Sequence, residues 1–462
     1  MQLYSSDNCY KLYQGSMLDM LECIDPNTID SIVCDPPYEL NFMNKGWDNS
    51  GIAFQKDTWE RCYTVLKPGG YLLAFGGSRT FHRIACAIED AGFEIRDTIM
   101  WLYGSGFPKS MNIGLAIDKK EGVQGQRGVG GFNVGGIQEQ QNRTAKLYIG
   151  STTDGSKQDA YTDYKSDLAK QWAGWGTALK PAYEPIIVAR KPCEGSTTDN
   201  VLKWGVGGIN IDGCRIDYNG EVPNIGGRGQ HTRGDGYGFK AMGDECIANS
   251  DGRFPANTIL TYDETDEKEV CGGMPDTKSN GGATTMPDLR DVGKKSKESI
   301  GIDKLSFGQV SNADRKQSDY VAPMDSGSAA RYFYCAKASK KDRDEGLEEF
   351  AETSTGKLRN VHPTVKPTEL MQYLVRLVSP KGSTVLDPFN GSGSTGKAVM
   401  YENIEHKSDY KYIGIELTEQ YLPIAKARIE YAETGVLACV DGKNQVAHEA
   451  PVDEEKAKFK LF

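Results

Sequence analysis

Four consecutive residues, Asp35-Pro36-Pro37-Tyr38, combine a carboxylate, a stiff backbone and an aromatic ring directly after the apolar run at 29–34. Each proline fixes its own φ, so the carboxylate, the Pro36 carbonyl and the Tyr38 ring have little freedom to collapse onto each other. An amino nitrogen conjugated to a purine or pyrimidine is a poor nucleophile, and two acceptors must draw on its hydrogens. The tetrad predicts such acceptors, with Tyr38 stacked on the base. The alternative is a turn that ends a strand.

A second constellation, VLDPFNGSGSTGKA at 385–398, carries a buried strand into a glycine loop and then a helix. Glycines at 391, 393 and 396 let the backbone approach a ligand closely and leave helix N-terminal amides facing it. Glu416 ends the next predicted strand, about 20 residues after Gly396, where an acid that binds ribose hydroxyls is expected. These features predict a cofactor that contains adenosine.

The same loop also fits a phosphate-binding pattern, because Gly391 to Lys397 reads G-x-x-x-x-G-K. The next residue is Ala398, so the hydroxyl that would hold magnesium is missing. Asp387 would repel phosphates and attract the ammonium of a methionine-like group. A nucleoside triphosphatase is therefore disfavoured, and a generic βα turn is the remaining alternative.

Two further segments are less specific. KLYQGSMLDML at 11–21 is typical of a core βα element, and HPTVKPTELM at 362–371 of an extended segment that enters a helix near Pro367. Either segment could line a cofactor pocket.

Alternating strands and helices surround both constellations, and this alternation predicts an α/β fold with a mostly parallel sheet. A helix and a strand recur in turn on each side of a long middle region. The predicted strands are 29–34, 71–77, 94–103, 383–389 and 412–416, and the predicted helical stretches are 56–66, 79–91, 368–378, one from about 395, and 418–434.

Changes in composition divide the chain into six regions. The two outer halves of the core enclose polar, glycine-rich sequence, interrupted by the apolar strand EPIIVAR. We assign 1–104 to the first half of the core, 105–174 to an inserted loop region, 175–192 to a core strand, 193–330 to a variable, recognition-type domain, 331–439 to the second half of the core and 440–462 to a peripheral tail.

The composition excludes several classes of protein. The chain has no apolar run long enough to cross a membrane and no secretion signal at its start, which predicts a cytoplasmic protein without a membrane partner. Its eleven cysteines form no C-x-x-C pair, and no metal site is predicted. The net charge of −10 requires any DNA-binding face to be local. Basic candidates are 291–297 and 228–240, with Arg228, Arg233 and Lys240, although solvated loops are the simpler interpretation.

Together, the tetrad near the start and the KPTELM and DPFNGSGSTG segments near the end resemble the β class of DNA amino-methyltransferases, the circularly permuted members in which the catalytic half comes first. The resemblance covers about 1–104, 175–192 and 331–434. It implies that 1–104 is the catalytic half of the core, 331–439 the cofactor-binding half and 193–330 a target recognition domain. It implies a Rossmann-like methyltransferase fold with a seven-stranded sheet, S-adenosylmethionine as methyl donor and double-stranded DNA as substrate. It also implies a flipped-out target base. A cognate restriction endonuclease is a candidate partner, and the oligomeric state is left open.

The resemblance also assigns roles residue by residue. The family usually has an acidic residue where this chain has Ser16, and the serine hydroxyl can still accept a hydrogen bond from the amino group of the cofactor's adenine. The catalytic residues are Asp35, Pro36, Pro37 and Tyr38, and the cofactor-binding residues are Ser16, Met17, Lys366, Thr368, Asp387, Pro388, Phe389, Gly391, Gly393 and Glu416.

Three other functions compete with adenine methylation. Methylation of the cytosine amino group uses the same chemistry, but a tetrad that begins with aspartate favours adenine. Methylation of a cytosine ring carbon needs a nucleophilic cysteine, and Pro192-Cys193 is present, but the motif order is wrong for that class. A catalytically degenerate DNA-binding module is the third alternative, and the intact tetrad and glycine loop argue against it.

Overall fold

The structure is a computed structural model, which describes residues 2–40, 46–103, 110–123, 126–127, 162–217, 252–263, 276–280, 324–328, 333–338, 340–348, 350 and 359–434. The chain divides into two compact units. The larger contains Met1–Gly104 and Tyr183–Phe462, and the smaller contains Ser105–Ala182.

Strands and helices alternate through most of the larger unit. The strands are β1 (Gln2–Ser6), β2 (Tyr10–Gln14), β3 (Ile29–Cys34), β4 (Leu66–Phe75), β5 (Glu94–Tyr103), β6 (Gln126–Arg127), β7 (Thr162–Asp163), β8 (Tyr183–Arg190), β9 (Thr258–Asp263), β10 (Asp276–Asn280), β11 (Met324–Ser328), β12 (Tyr334–Ala338), β13 (Thr384–Asp387) and β14 (Lys411–Glu416). The α-helices are α1 (Met17–Leu21), α2 (Lys56–Val65), α3 (Phe81–Asp90), α4 (Ile113–Lys120), α5 (Asp167–Gln171), α6 (Thr197–Trp204), α7 (Lys340–Asp344), α8 (Thr368–Val378), α9 (Ser394–His406) and α10 (Leu422–Glu433).

The main sheet has the strand order β1-β2-β14-β13-β3-β4-β8-β5-β9-β12. Six of its neighbouring pairs are parallel, and β8 runs antiparallel to both β4 and β5. The predicted mostly parallel α/β fold is confirmed. The predicted count of seven strands is wrong, because the described residues place ten strands in this sheet. The stretch from β2 to β5 contains seven, β1 adds a hairpin at one edge, and β9 and β12 cover the open hydrogen-bonding groups of β5 at the other.

Helices cover both faces of the sheet, which explains why its central strands are apolar on both sides. Every residue of β3 is buried. On one face the core includes Tyr373 of α8, Val399 of α9 and Ile429 of α10. On the other it includes Trp59 of α2 and Ile84 of α3. The 3-10 turns at Gly46–Asn49, Ile52–Phe54, Asp212–Cys214 and Glu419–Tyr421 complete the regular elements of the described chain.

The centre of the sheet is the pair β13 and β3, whose registers place Val385 beside Ser31 and Leu386 beside Ile32. From β13 the chain continues to its neighbour β14 on one side, and from β3 it continues to β4 on the other. A crevice forms where such connections diverge, outside the carboxyl ends of the strands. The fold therefore predicts a ligand site directly after β3 and β13.

The smaller unit contains α4, α5 and the short antiparallel pair of β6 and β7. The buried carboxylate of Asp118 accepts hydrogen bonds from the backbone N–H groups of Lys165 and Ser166, both at 2.9 Å. This contact ties α4 to the turn before α5. Across the described parts of both units, every helix is too short or too polar to traverse a lipid bilayer.

Candidate active site

Residues from both halves of the predicted site meet at one end of the strands, where the parallel strands have their carboxyl ends. Asp35 follows β3, Asp387 ends β13 and Glu416 ends β14, and these parallel strands present their carboxyl ends together. Glu184 lies at the beginning of the antiparallel β8, which brings its side chain to the same edge. The two halves of the predicted site are therefore adjacent, as the sequence requires.

Asp35 forms the centre of a buried charged group. The Lys366 ammonium donates to Asp35 Oδ2 at 2.6 Å, and the Lys366 side chain is 6% exposed. Asp35 Oδ1 is also buried, and no group within the described ranges donates a hydrogen bond to it. One oxygen of this carboxylate thus accepts a hydrogen bond from Lys366, and the other can accept a hydrogen bond from a ligand.

Glu184 links this group to Tyr38. The Tyr38 hydroxyl donates to Glu184 Oε2 at 2.7 Å, and the Tyr103 hydroxyl donates to Oε1 at 3.3 Å. Lys366 Nζ lies 3.4 Å from Glu184 Oε2. Sequence reasoning did not identify Glu184, although it quoted the EPIIVAR strand. The missing signal was strand direction, because a charged residue faces this edge only if β8 is antiparallel.

Burial and charge oppose each other in this group. Burial raises the pKa of Asp35, the Lys366 ammonium opposes that rise, and the Glu184 carboxylate adds to it. Burial alone would lower the pKa of Lys366, but the neighbouring charges of Asp35 and Glu184 outweigh it and the pKa is raised. Lys366 therefore remains an ammonium ion, and its charge favours the ionised form of Asp35.

The glycine loop after β13 is held by Glu416. Gly391 N–H donates to Glu416 Oε2 and Thr418 N–H donates to Oε1, each at 2.7 Å. Gly391 has φ 52°, and a Cβ atom there would lie 3.0 Å from His362 Nε2, so the tight turn favours glycine. Each carboxylate oxygen has a second lone pair, so Glu416 can still accept from two hydroxyl groups of a ligand.

Asp387 holds the start of the same loop. Its carboxylate is 2% exposed and accepts from the Phe389 N–H at 3.0 Å and the Thr395 hydroxyl at 2.6 Å. Burial raises the pKa of Asp387 to about 7. The predicted contact of Asp387 with a ligand ammonium stays a prediction, and the contacts within the chain give this residue a part in shaping the loop.

The raised pKa of Asp387 predicts a pH-dependent stability. Between the ordinary aspartate pKa of 3.8 and about 7, the folded chain holds more protons at this site than the unfolded chain. The free energy of unfolding therefore falls as pH rises through this window. Asp387→Asn can keep the hydrogen bond from the Phe389 N–H, presents an amide donor to the Thr395 oxygen in place of an acceptor, and removes the titration. We expect the wild type to lose on the order of a few kcal/mol relative to this variant between pH 4 and 7, measured by urea unfolding without cofactor. If the difference in unfolding free energy between the two proteins stayed constant from pH 4 to 7, the raised pKa of Asp387 would be contradicted.

The remaining predicted site residues lie near the start of α1, in the tetrad and in the glycine loop. Ser16 caps α1, its hydroxyl accepting from Leu18 N–H at 3.3 Å, and it stands beside the glycine whose N–H donates to the Glu416 carbonyl. Met17 instead packs in the core. Pro36 and Pro388 are buried, Pro37 is half-buried, Phe389 contacts Trp59 with ring centroids 6.3 Å apart, and Gly393 adopts φ 76° before α9.

The KPT segment divides between two networks. Lys366 contacts the tetrad, whereas the N–H and hydroxyl of Thr368 both donate to the Asp342 carboxylate. Asp342 also accepts from Lys397, which lies inside α9. Thr368 is thus part of the packing beneath the loop, and its predicted contact with the cofactor stays a prediction.

Lys397, the lysine of the phosphate-loop pattern, is fully buried. Its ammonium lies 2.6 Å from Asp342 and 2.7 Å from Glu345. A phosphate-binding lysine must reach its ligand, and this one is neutralised inside the protein. The structure therefore supports the prediction that this loop does not serve a nucleoside triphosphatase.

Lys397→Met tests this structural role. The change removes the ammonium that contacts two partly buried carboxylates, and we expect the free energy of unfolding to fall by about 3 kcal/mol. Lys426→Met is the matched control, since Lys426 forms an exposed pair with Glu430 and should change stability little. Chemical denaturation measures both. Equal stability of the two variants would show that the buried group contributes nothing.

The cysteine considered for ring-carbon methylation lies at the other edge of the sheet. Cys193 follows the end of β8, and because β8 is antiparallel this end stands where β3 and β4 begin. A nucleophile there is separated from Asp35 by the length of the strands.

Three predicted regions lie outside the described residues. They are the DNA-binding candidates Arg228, Arg233 and Lys240, the basic stretch at 291–297 and the tail at 440–462.

Both a family profile and individual relatives of this sequence are described as methylases or methyltransferases. The sequence profile of a family described as DNA methylase matches residues 29–203 and 246–427. The type II methyltransferase M.Cfr9I of Citrobacter freundii is 32% identical over 111 residues, which are 23% of this chain and 35% of that protein. The type II methyltransferase M2.LlaDCHI of Lactococcus lactis subsp. cremoris is 25% identical over 231 residues, which are 45% of this chain and 81% of that protein.

Several of the curated relatives, M.Cfr9I among them, are matched over only about a third of their length. Among solved structures, the PvuII DNA methyltransferase (cytosine-N4-specific) aligns with a TM-score of 0.38 and 12% identity, over 92% of this chain and 87% of that one. The crystal structure of an M1.HpyAVI-SAM complex aligns with a TM-score of 0.33 and 13% identity, over 91% and 99%.

Proposed function

The chain belongs to the DNA methylase family, and we propose that it transfers a methyl group from S-adenosylmethionine to the exocyclic amino group of adenine in double-stranded DNA. The observation that carries the proposal is the free oxygen of Asp35. This atom is buried beside an aromatic ring, and its carboxylate is held by a lysine on the opposite oxygen. Such an acceptor fits the hydrogen of an amino group on a flat ring.

The residues after β13 and β14 fit an adenosine-bearing methyl donor. Glu416 would accept hydrogen bonds from the ribose hydroxyls, and the positive φ of Gly391 and Gly393 would let the backbone lie close to the methionine portion. When bound, S-adenosylmethionine supplies a methyl group on a sulfonium sulfur. The sulfur is a good leaving group because it departs as a neutral thioether. The register of β13 with β3 supports placing this donor next to the tetrad.

The tetrad would act on a base that has been rotated out of the duplex. Asp35 Oδ1 and the Pro36 carbonyl would each accept a hydrogen bond from the amino group, which shifts the nitrogen towards tetrahedral geometry and withdraws its lone pair from conjugation with the ring. Tyr38, held through its hydroxyl by Glu184, would stack on the face of the base. No strong base is required, because the amino nitrogen becomes acidic once it has taken the methyl group.

Contact with DNA is proposed for the region at 193–330. Since the net charge is −10, phosphate contacts must come from local basic residues, and Arg228, Arg233 and Lys240 are our candidates. Adenine rather than cytosine is favoured by the Asp-Pro-Pro-Tyr order of the tetrad.

The test uses the purified full chain, tritiated S-adenosylmethionine and DNA from cells that lack DNA methyltransferases. After digestion to nucleosides, we expect the label in N6-methyldeoxyadenosine. Label in N4-methyldeoxycytidine would overturn the choice of base and keep the chemistry. Binding of DNA without any transfer would overturn the enzyme and favour the binding module. Sequencing of methylated bases in DNA from cells that express the chain would then give the recognition sequence.

A further inference from the structure

Two charged residues that do not touch the target base in the proposed reaction hold the tetrad. Lys366 and Glu184 are both largely buried, with side chains 6% and 21% exposed. The single ammonium serves two carboxylates, at 2.6 Å from Asp35 and 3.4 Å from Glu184. Burying three charges is costly unless each is well placed, so the arrangement calls for a function beyond packing.

We propose that Lys366 and Glu184 are positioning residues for methyl transfer: Glu184 fixes the Lys366 ammonium and the Tyr38 hydroxyl, and Lys366 covers Asp35 Oδ2, so that only Oδ1 is presented to the amino group. This inference rests on the proposed function and deepens it. It also assigns Lys366 to the target base, whereas the family resemblance predicted a place beside the methionine end of the cofactor.

The partners of Lys366 support this assignment. Its ammonium lies 5.2 Å from the ring centre of Tyr38, 5.0 Å from that of Phe75 and 6.0 Å from that of Trp101. These rings stand on the tetrad and on the ends of β4 and β5, the catalytic half of the sheet. Within the part of the chain that the structure describes, its hydrogen bonds also go to this half, and none goes to the glycine loop.

Glu184 positions both groups that would contact the target base, Tyr38 directly and Asp35 through Lys366. One of its oxygens, Oε2, accepts from Tyr38 and lies near Lys366, while Oε1 accepts from Tyr103. The Tyr38 ring is therefore held through its hydroxyl at a fixed angle, and the same carboxylate keeps the lysine beside Asp35. A base that stacks on Tyr38 would meet the free oxygen of Asp35 in one orientation only.

The proposal has a consequence for pH because the ionised Asp35 is the stronger acceptor, whereas a proton on Oδ1 would turn that atom into a donor. The groups that act on its charge are Lys366 before α8, Glu184 on β8, Tyr38 on its own loop, Asp387 on β13 and Cys34 on β3. Lys366 lowers the pKa of Asp35 and Glu184 raises it. Removing the one or the other should therefore move the acidic limb of the rate profile in opposite directions.

The test measures kcat/KM against pH for Lys366→Met and Glu184→Gln on the DNA that the wild type methylates. We expect Lys366→Met to lose about tenfold or more at pH 7 and its acidic limb to move up by roughly one pH unit. For Glu184→Gln we expect the limb to move down, together with a raised KM for DNA because Tyr38 is less firmly held. Lys366→Arg keeps the cation, and its limb should stay near that of the wild type.

The controls use the opposite edge of the sheet. Lys381→Met and Glu194→Gln remove the same charges from exposed pairs and should leave the profile unchanged. Calorimetric titration with S-adenosylmethionine should give all variants a Kd within about threefold of the wild type, and thermal melting checks folding.

Shifts of the same sign, a loss that is equal at every pH, or a more than tenfold weaker affinity of Lys366→Met for S-adenosylmethionine would each overturn the inference. A wild-type chain that transfers no methyl group would overturn the proposed function instead. The two failures are thus distinguishable.

Discussion

Asp35→Ala is expected to reduce methyl transfer at least about a thousandfold while S-adenosylmethionine still binds. The change removes the Asp35 Oδ1 acceptor, so the amino nitrogen stays planar, its lone pair stays conjugated with the ring, and it remains a poor nucleophile. Asp35→Asn should lose nearly as much, because the amide keeps the size and removes the charge. Transfer of tritiated methyl groups to DNA measures the rate, and calorimetry measures the affinity for the methyl donor.

The controls for Asp35 separate chemistry from folding. Asp57→Ala removes an exposed carboxylate from α2 and should be fully active. Because Asp35→Ala leaves Lys366 with Glu184 as its remaining anionic partner, thermal melting is needed for each variant. Turnover near that of the wild type in a folded Asp35→Ala protein would remove Asp35 from the reaction.

Glu416→Ala is expected to weaken the binding of S-adenosylmethionine by about a hundredfold. The variant loses the proposed contacts to the ribose, each a charge-assisted hydrogen bond of about 1.5–3 kcal/mol. It also frees the N–H groups of Gly391 and Thr418, so the glycine loop is less well ordered. The Kd is measured by calorimetric titration of the purified chain.

Glu419→Ala provides the matched control for this effect, because Glu419 is exposed and lies three residues beyond Glu416. It should bind S-adenosylmethionine as the wild type does. If Glu416→Ala also bound normally, the adenosine pocket would have to lie elsewhere on the chain.

Local pattern was enough to predict many of the elements. The strand at 94–103 and the helix at 368–378 have the predicted bounds, since each is a continuous apolar or amphipathic run with a clear break at its ends. The tetrad and the glycine loop stand after β3 and β13 as predicted, because a strand that ends in a turn is legible in the sequence itself.

Long-range contacts were not predicted from the same patterns. The direction of β8, the added strands at both edges and the role of Glu184 depend on which segments pair, and residues distant in sequence decide that. The contact of Lys366 with Asp35 was not predicted either, because a short motif does not encode which way a long side chain turns, and the cofactor contact of Lys366 stays a prediction. The predicted DNA contacts at Arg228, Arg233 and Lys240 remain predictions.

The middle of the sheet joins segments from near the two ends of the chain, with Ser31 paired to Val385. Such non-local pairing delays folding, because a long loop must close before the contact can form. During synthesis, β3 has no partner on that side until Thr384–Asp387 has left the ribosome. A nascent chain therefore carries an uncovered apolar strand for most of its translation, and the crevice after β3 and β13 forms only when the second of these strands has been made.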